Sequence, residues 1–226
     1  MCSIDRSIWK NISQTSVTKR MSEESKIILF GGTFDPIHNG HLIVARHALL
    51  CLGGDELIFV PARQSPHKKQ APTEGQHRLA MIRCAIASTE GFSVSDCELN
   101  RAEPSYTVET IRHFRQQAGE GAAIHWLIGA DQLADLDKWY RIDELLSVCH
   151  ISTMVRGGYP APDMGRFEGV FGPDQIEQLR RDTVMTPEVP VCSTEIRQQL
   201  SQGRMPGELP ACVADYIRRH KLYGFS

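Results

Sequence analysis

From Lys26 onward, apolar residues fall into short unbroken runs separated by stretches in which they recur every three or four positions. The run Ile27 to Phe30 has no polar interruption, which predicts a strand buried on both faces. Apolar residues at 42, 45, 49 and 52 then follow helical spacing, and Gly53-Gly54 supplies a stop. Glu56 to Val60 reads as a second strand ended by Pro61, and Glu74 to Ser88 as a helix. The same logic predicts a short strand at Phe92 to Ser95, a helix at Thr107 to Gln117 and a strong strand at Ala123 to Ala130. A helix at Arg141 to Leu146 and a strand at Cys149 to Val155 follow.

This alternation predicts an α/β fold: a Rossmann-like, doubly wound, mainly parallel sheet with helices on both faces and ligands at the carboxyl ends of its strands. Gly157 to Pro190, rich in Gly, Pro and Asp, reads as a connector with one short helix near Asp174 to Arg181. Two helices, Ser193 to Gln202 and Ala211 to Lys221, close the chain. Residues 1–25 are Ser/Thr/Lys-rich without a sustained period and read as a frayed, disordered extension, with "MSEESK" a second candidate start. Residues 26–226 are expected to form a single domain.

Composition removes several function classes. A net charge of -2 gives no general pull toward nucleic acid or an anionic membrane, so an anion site has to be a local cluster. The seven cysteines, at 2, 51, 84, 97, 149, 192 and 212, form no CxxC pair and read as reduced thiols. With no apolar stretch of membrane-spanning length and no secretory h-region, the expected setting is the cytoplasm. The pattern leaves oligomeric state open, a homo-oligomer included.

The chemistry concentrates where strands end. In "IILFGGTFDPIHNGHL", Ile27 to Leu42, Gly31 and Gly32 let backbone approach a ligand. His38 and His41 fall at a helix start near Asn39, a plausible N-cap, where free amides and a partial positive charge suit phosphate. The pair lacks the third ligand and the i, i+4 spacing of a zinc helix. In "CSTEIRQQL", Cys192 to Leu200, Ser193 or Thr194 can cap a helix. The loop "PARQSPHKKQAP", Pro61 to Pro72, carries Arg63, His67, Lys68 and Lys69 and no acid.

"GGTFDPIHNGH" resembles the HxGH signature of the nucleotidyltransferase superfamily, and "CSTEIRQQL" looks like its second signature, ISSTxIR, with Val191 and Cys192 in place of Ile and Ser. The Pro66-His67-Lys68 stretch is similar to the PPHK loop of bacterial nicotinate-mononucleotide adenylyltransferases. "ELNRAEPSYTVETIRHFR", "WLIGADQLADLDKWYRIDELL", "VRGGYP" and "LPACVADYIRRHKLY" resemble the same family, so the likeness spans Lys26 to Tyr223. It implies transfer of the adenylyl group of ATP, delivered with Mg²⁺, to nicotinate mononucleotide, giving deamido-NAD and diphosphate.

The resemblance implies that His38, His41, Lys68 and Arg197 are catalytic. It places Gly31, Gly32, Thr33 and Phe34 against ATP, with Gly129 and Asp131 at the ribose and Ser193, Thr194 and Arg197 at the triphosphate. Lys68, Tyr106, Thr107 and Trp139 would hold the mononucleotide, through amides for the carboxylate and an aromatic face for the ring. Read without the family, Asp131 is equally a helix cap, Trp139 a half-buried helix-entry aromatic, and Tyr106 turn packing after Pro104. Two rivals stay open: an HxGH transferase with another acceptor, such as nicotinamide mononucleotide or phosphopantetheine, and a non-catalytic nucleotide-binding regulator.

Overall fold

The structure is a computed structural model that describes residues 25–63, 72–102, 104–119, 121–156 and 161–225. The N-terminal extension, Lys68 with its neighbours His67 and Lys69, and the Gly-Gly-Tyr-Pro stretch at 157–160 lie outside the described residues.

The chain runs β1 (Lys26–Gly32), α1 (Asn39–Cys51), β2 (Glu56–Pro61), α2 (Gly75–Ile86), β3 (Phe92–Val94), α3 (Thr107–Ala118) and β4 (Ala123–Gly129). It continues through α4 (Ala130–Leu133), α5 (Ile142–Val148), β5 (His150–Arg156), α6 (Pro173–Arg181), β6 (Thr183–Thr186), α7 (Ser193–Ser201) and α8 (Ala211–His220), with short 3-10 turns such as Leu136–Lys138 between them. The strands form one six-stranded sheet in the order β3-β2-β1-β4-β5-β6, every neighbouring pair parallel.

The strand alternation decides which helices cover which face. Leu29, Ile58, Val60, Ile124, Trp126 and Ile128 point to one side and pack with α3, α5 and α6. Ile28, Phe30, Leu57, Phe59 and Leu127 point to the other, against α1, α2, α7 and α8. Both sides of the central strands are therefore buried, which is why those strands read as continuous apolar runs. Among the described residues, no helix is long and apolar enough to cross a membrane.

Two elements depart from the sequence expectation: the one-turn helix α4 begins at Ala130, where the apolar pattern extends the strand, and β6 is not announced by it. The connector after β5 contains a sixth strand, Thr183–Thr186, paired in parallel with Thr153 to Arg156. Only Val184 and Thr186 of its four residues are buried, so a short edge strand leaves too little apolar pattern to register.

The strand order reverses between β1 and β4: β1 leads by way of β2 and β3 toward one edge, and β4 by way of β5 to the other. Chains leaving adjacent strand ends in opposite directions open a crevice there, and every helix that follows a parallel strand begins on the same rim.

Candidate active site at the strand ends

At that switch point a cleft of about 470 Å³ opens. Its floor is Gly31, Gly32 and Thr33 at the end of β1, with Ala62 after β2 and the Trp126 indole from β4. Its wall is Ser105, Tyr106 and Thr107 at the start of α3, together with Trp139 and Tyr140 beyond the 3-10 turn. Tyr106 and Tyr140 stack with ring centroids 4.3 Å apart at 29°. The cleft therefore brings Gly31, Gly32 and Thr33 together with Tyr106, Thr107 and Trp139, while His38, His41, Asp131, Ser193, Thr194 and Arg197 are not among its lining residues.

Both glycines are required, for a reason the sequence does not reveal. A Cβ on Gly31 would fall inside the Trp126 indole, and one on Gly32 would lie 2.8 Å from Cζ of Phe34. The space that a side chain would take at each is already occupied by an aromatic ring. Phe34, in the left-handed region at φ 49°, is 3% exposed and packs on Phe30, Phe59 and His41. Its side chain is core, so any contact it makes with a nucleotide is through main chain.

The two histidines stand at the beginning of α1 with rings stacked, centroids 3.7 Å apart. The N-cap is His38, not Asn39, which is already the first helical residue. The His38 amide donates to Nδ1 of His41 at 3.3 Å, so neutral His41 carries its proton on Nε2 and presents a donor. His38 is 4% exposed, and desolvation lowers its pKa to about 4, so it is neutral at pH 7. Its buried Nδ1 has no hydrogen-bond partner among the described residues. An orphaned acceptor is tolerated better than an orphaned N–H, which favours the tautomer with the proton on Nε2.

α7 docks onto the loop that precedes these histidines. Arg197 donates from Nη1 to the Asp35 carbonyl at 2.7 Å and from Nη2 to Oγ1 of Thr194 at 3.3 Å, while the Ser193 hydroxyl donates to the Pro36 carbonyl at 3.2 Å. Ser193 and Thr194 are not the cap: that position belongs to Cys192. The Cys192 thiol is acidified by hydrogen bonds from the amides of Thr194 and Glu195, the Thr194 amide first, against a smaller opposing effect of burial. The loop is gripped from elsewhere too. Arg78, 1% exposed, donates to the carbonyls of Thr33 at 2.7 Å and Thr73 at 2.8 Å, and Tyr223 donates to Oδ1 of Asp35 at 2.7 Å. Burial pushes the Tyr223 phenol upward, so it stays a donor.

Asp131 lies in the first turn of α4, whose N-cap is Gly129, which removes the capping role considered for Asp131. The space over Gly129 is taken by the Asp131 carboxylate, because a Cβ there would collide with Oδ1. Residue patterns missed Trp126, Tyr140, Arg78 and Glu98. Glu98 lines the cleft at 4% exposure and accepts from Oγ1 of Thr110 at 2.6 Å. Burial raises its pKa, opposed by hydrogen bonds from Thr110 and Ser105 and by Arg101. Its only signal was its position in the "ELNRAEPSYT" stretch. A larger surface hollow of about 590 Å³ beside α3 is lined by Arg101, Glu109, Arg112 and His113. Its arginines are engaged, Arg101 with Glu109 and Arg112 with Glu144, so it offers less to an anion.

The sequence model described as cytidylyltransferase-like matches residues 29–199, three quarters of the chain, from within β1 through β6. The chain belongs to this family. Similar curated relatives include proteins named "Probable nicotinate-nucleotide adenylyltransferase" from Rhodopirellula baltica, 34% identical with 86% of this chain and 92% of the relative covered, and from Neisseria meningitidis, 37% identical with 88% and 98% covered. Among solved structures, the nicotinic acid mononucleotide adenylyltransferase of Plasmodium falciparum complexed with NaAD has a TM-score of 0.69 over 90% of this chain and 99% of its own. At 18% identity that likeness speaks for the fold alone.

Proposed function

We infer that the chain transfers the adenylyl group of ATP to nicotinate mononucleotide, forming deamido-NAD and diphosphate in NAD biosynthesis. The observation that carries this reading is the cleft itself. One crevice joins the glycine end of β1, an aromatic wall of Tyr106, Trp139 and Tyr140, and the N-terminus of α3, and the paired histidines stand at the start of α1, the helix that follows the same strand. A helix N-terminus favours the ring carboxylate, and aromatic faces favour a flat heterocycle. The relatives' names point the same way.

In the proposed reaction a 5'-phosphate oxygen of the mononucleotide attacks the α-phosphorus of ATP in line. The bond from that phosphorus to the bridging oxygen breaks, and diphosphate leaves with the electron pair. The acceptor phosphate has its second pKa near 6 and is already ionised at neutral pH, so no general base is required. A helix dipole supplies roughly 0.3 to 2 kcal/mol, whereas enzymes lower barriers by about 8 kcal/mol or more. Alignment of the two phosphates and donors aimed at the departing charge have to supply the rest.

His38 and His41 donate from Nε2 to the α and β phosphates, Ser193 and Thr194 present the α7 start, and Arg197 with Lys68 offsets charge. Phe34 and Thr33 contribute backbone, and Gly129 with Asp131 takes the adenosine ribose. Tyr106, Thr107, Trp139 and Lys68 hold the acceptor. Mg²⁺ enters as part of the MgATP substrate. The setting we propose is the cytoplasm.

The test is diphosphate release by the purified chain with MgATP and, in parallel, nicotinate mononucleotide, nicotinamide mononucleotide and phosphopantetheine. Preference for the acid mononucleotide supports the reading. Preference for another acceptor overturns the substrate assignment, and no release with any of them overturns catalysis.

A further inference from the structure

The amino end of the sheet, opposite the cleft, holds a second group of chemistry-bearing side chains. His125 in β4 and His150, the first residue of β5, are direct partners in the parallel ladder and so point to the same face. Asp182 immediately precedes β6. The pairing of Met154 with Val184 carries the Asp182 side chain to that face as well, level with Ser152. Neighbouring strands thus deliver two imidazoles and a carboxylate to one spot, with one potential ligand atom from each lying within 4.8 Å of the others.

We propose that His125, His150 and Asp182 form a binding site for a divalent transition-metal ion of the zinc class. Two imidazoles and a carboxylate are a donor set such ions take, with water completing the shell. Nδ1 of His125 is bonded to the buried Ser152 hydroxyl at 2.8 Å. With Nδ1–H donating to that hydroxyl, the ring is fixed and its Nε2 lone pair is free for an ion, the arrangement found around metal-bound imidazoles.

A simple ion pair accounts for less. Nδ1 of His150 meets Oδ2 of Asp182 at 2.8 Å, which satisfies those two groups without any need for a second, buried imidazole stacked 4.6 Å away. A metal accounts for all three by taking the place of the proton shared in that pair. Bonds of about 2.0 to 2.1 Å in a tetrahedral shell hold donors roughly 3.4 Å apart. Reaching that spacing requires His150 to reorient, and its side chain is 39% exposed, which also gives the ion a way in from solvent.

The test titrates the full chain, stripped of metal by chelation, with Co²⁺, whose visible d–d bands report four- or five-coordinate binding. The proposal expects saturable bands from nitrogen and oxygen ligands, displaced by Zn²⁺ and absent in His150→Ala and Asp182→Asn. Ser152→Ala should weaken Co²⁺ binding by roughly tenfold or more, the usual cost of losing the partner that orients a ligand. Circular dichroism establishes that the variants are folded, and turnover with MgATP should be unchanged in His150→Ala because the site lies at the other end of the strands. Absence of bands in the wild type, bands that persist in folded His150→Ala or Asp182→Asn, or thiolate charge-transfer absorption would each overturn the site.

Discussion

At the scale of single residues, the spacing of the two histidines follows from one missing side chain. A Cβ on Gly40 would stand 3.0 Å from Nδ1 of His38 and 3.4 Å from Cγ1 of Val189, so glycine there lets the ring lie across the helix start without a close contact. The stacked pair then offers two donors, and loss of one should be expensive. His41→Ala is expected to lower turnover by roughly 10²-fold or more with little change in thermal stability, measured by steady-state diphosphate release. Gly31→Ala tests the floor of the cleft. Its methyl must displace the Trp126 indole, so a stability loss of about 1 to 3 kcal/mol in urea is expected together with a raised KM for the mononucleotide. Unchanged stability would mean that the indole can move aside freely.

At the scale of elements, the loop between β1 and α1 is held by contacts from four directions. α2 contributes Arg78 to the Thr33 carbonyl, and the Thr73 amide ahead of α2 donates to Oδ2 of Asp35 at 3.1 Å. α7 contributes Ser193 and Arg197, and the turn after α8 contributes Tyr223. Arg78 is the central piece, since one buried guanidinium ties that loop to the segment on which α2 begins. Arg78→Met keeps the aliphatic bulk but strips donors from buried carbonyls. It is expected to cost about 3 kcal/mol or more in urea denaturation. Turnover should fall further than the loss of folded protein explains.

At the scale of the whole molecule, buried neutral histidines set the response to acid. The His38 pKa is lowered from the ordinary 6.5 to about 4, and that of His125 is lowered by burial as well. Between those values the unfolded chain binds protons that the native state refuses, so stability rises with pH and is lost as pH falls from 6.5 toward 4. His38 alone should remove about 2 kcal/mol by roughly pH 5. Glu98 acts in the opposite sense just above the ordinary carboxylate range, because its raised pKa lets the native state hold a proton there. Urea titrations at several pH values should show this loss, with a shallower slope in His38→Gln.

What the sequence determined by itself is the set of elements that bury on both sides and the positions where they end. Largely apolar runs announced β1, β2 and β4, a more mixed run announced β5, and the helical periods announced α1, α3, α7 and α8, because burial on a regular backbone imposes its period on the residues. The placement of His38, His41, Tyr106, Thr107 and Ser193 at helix beginnings was legible for the same reason. Tertiary structure alone decided that Arg197 and Tyr223 reach Asp35 across 162 and 188 residues, that Trp126 fills the space above Gly31, and that four residues after α6 complete the sheet. Such contacts have no period along the chain. They depend on which surfaces meet once strands are ordered, and the crevice exists only because that order reverses between β1 and β4.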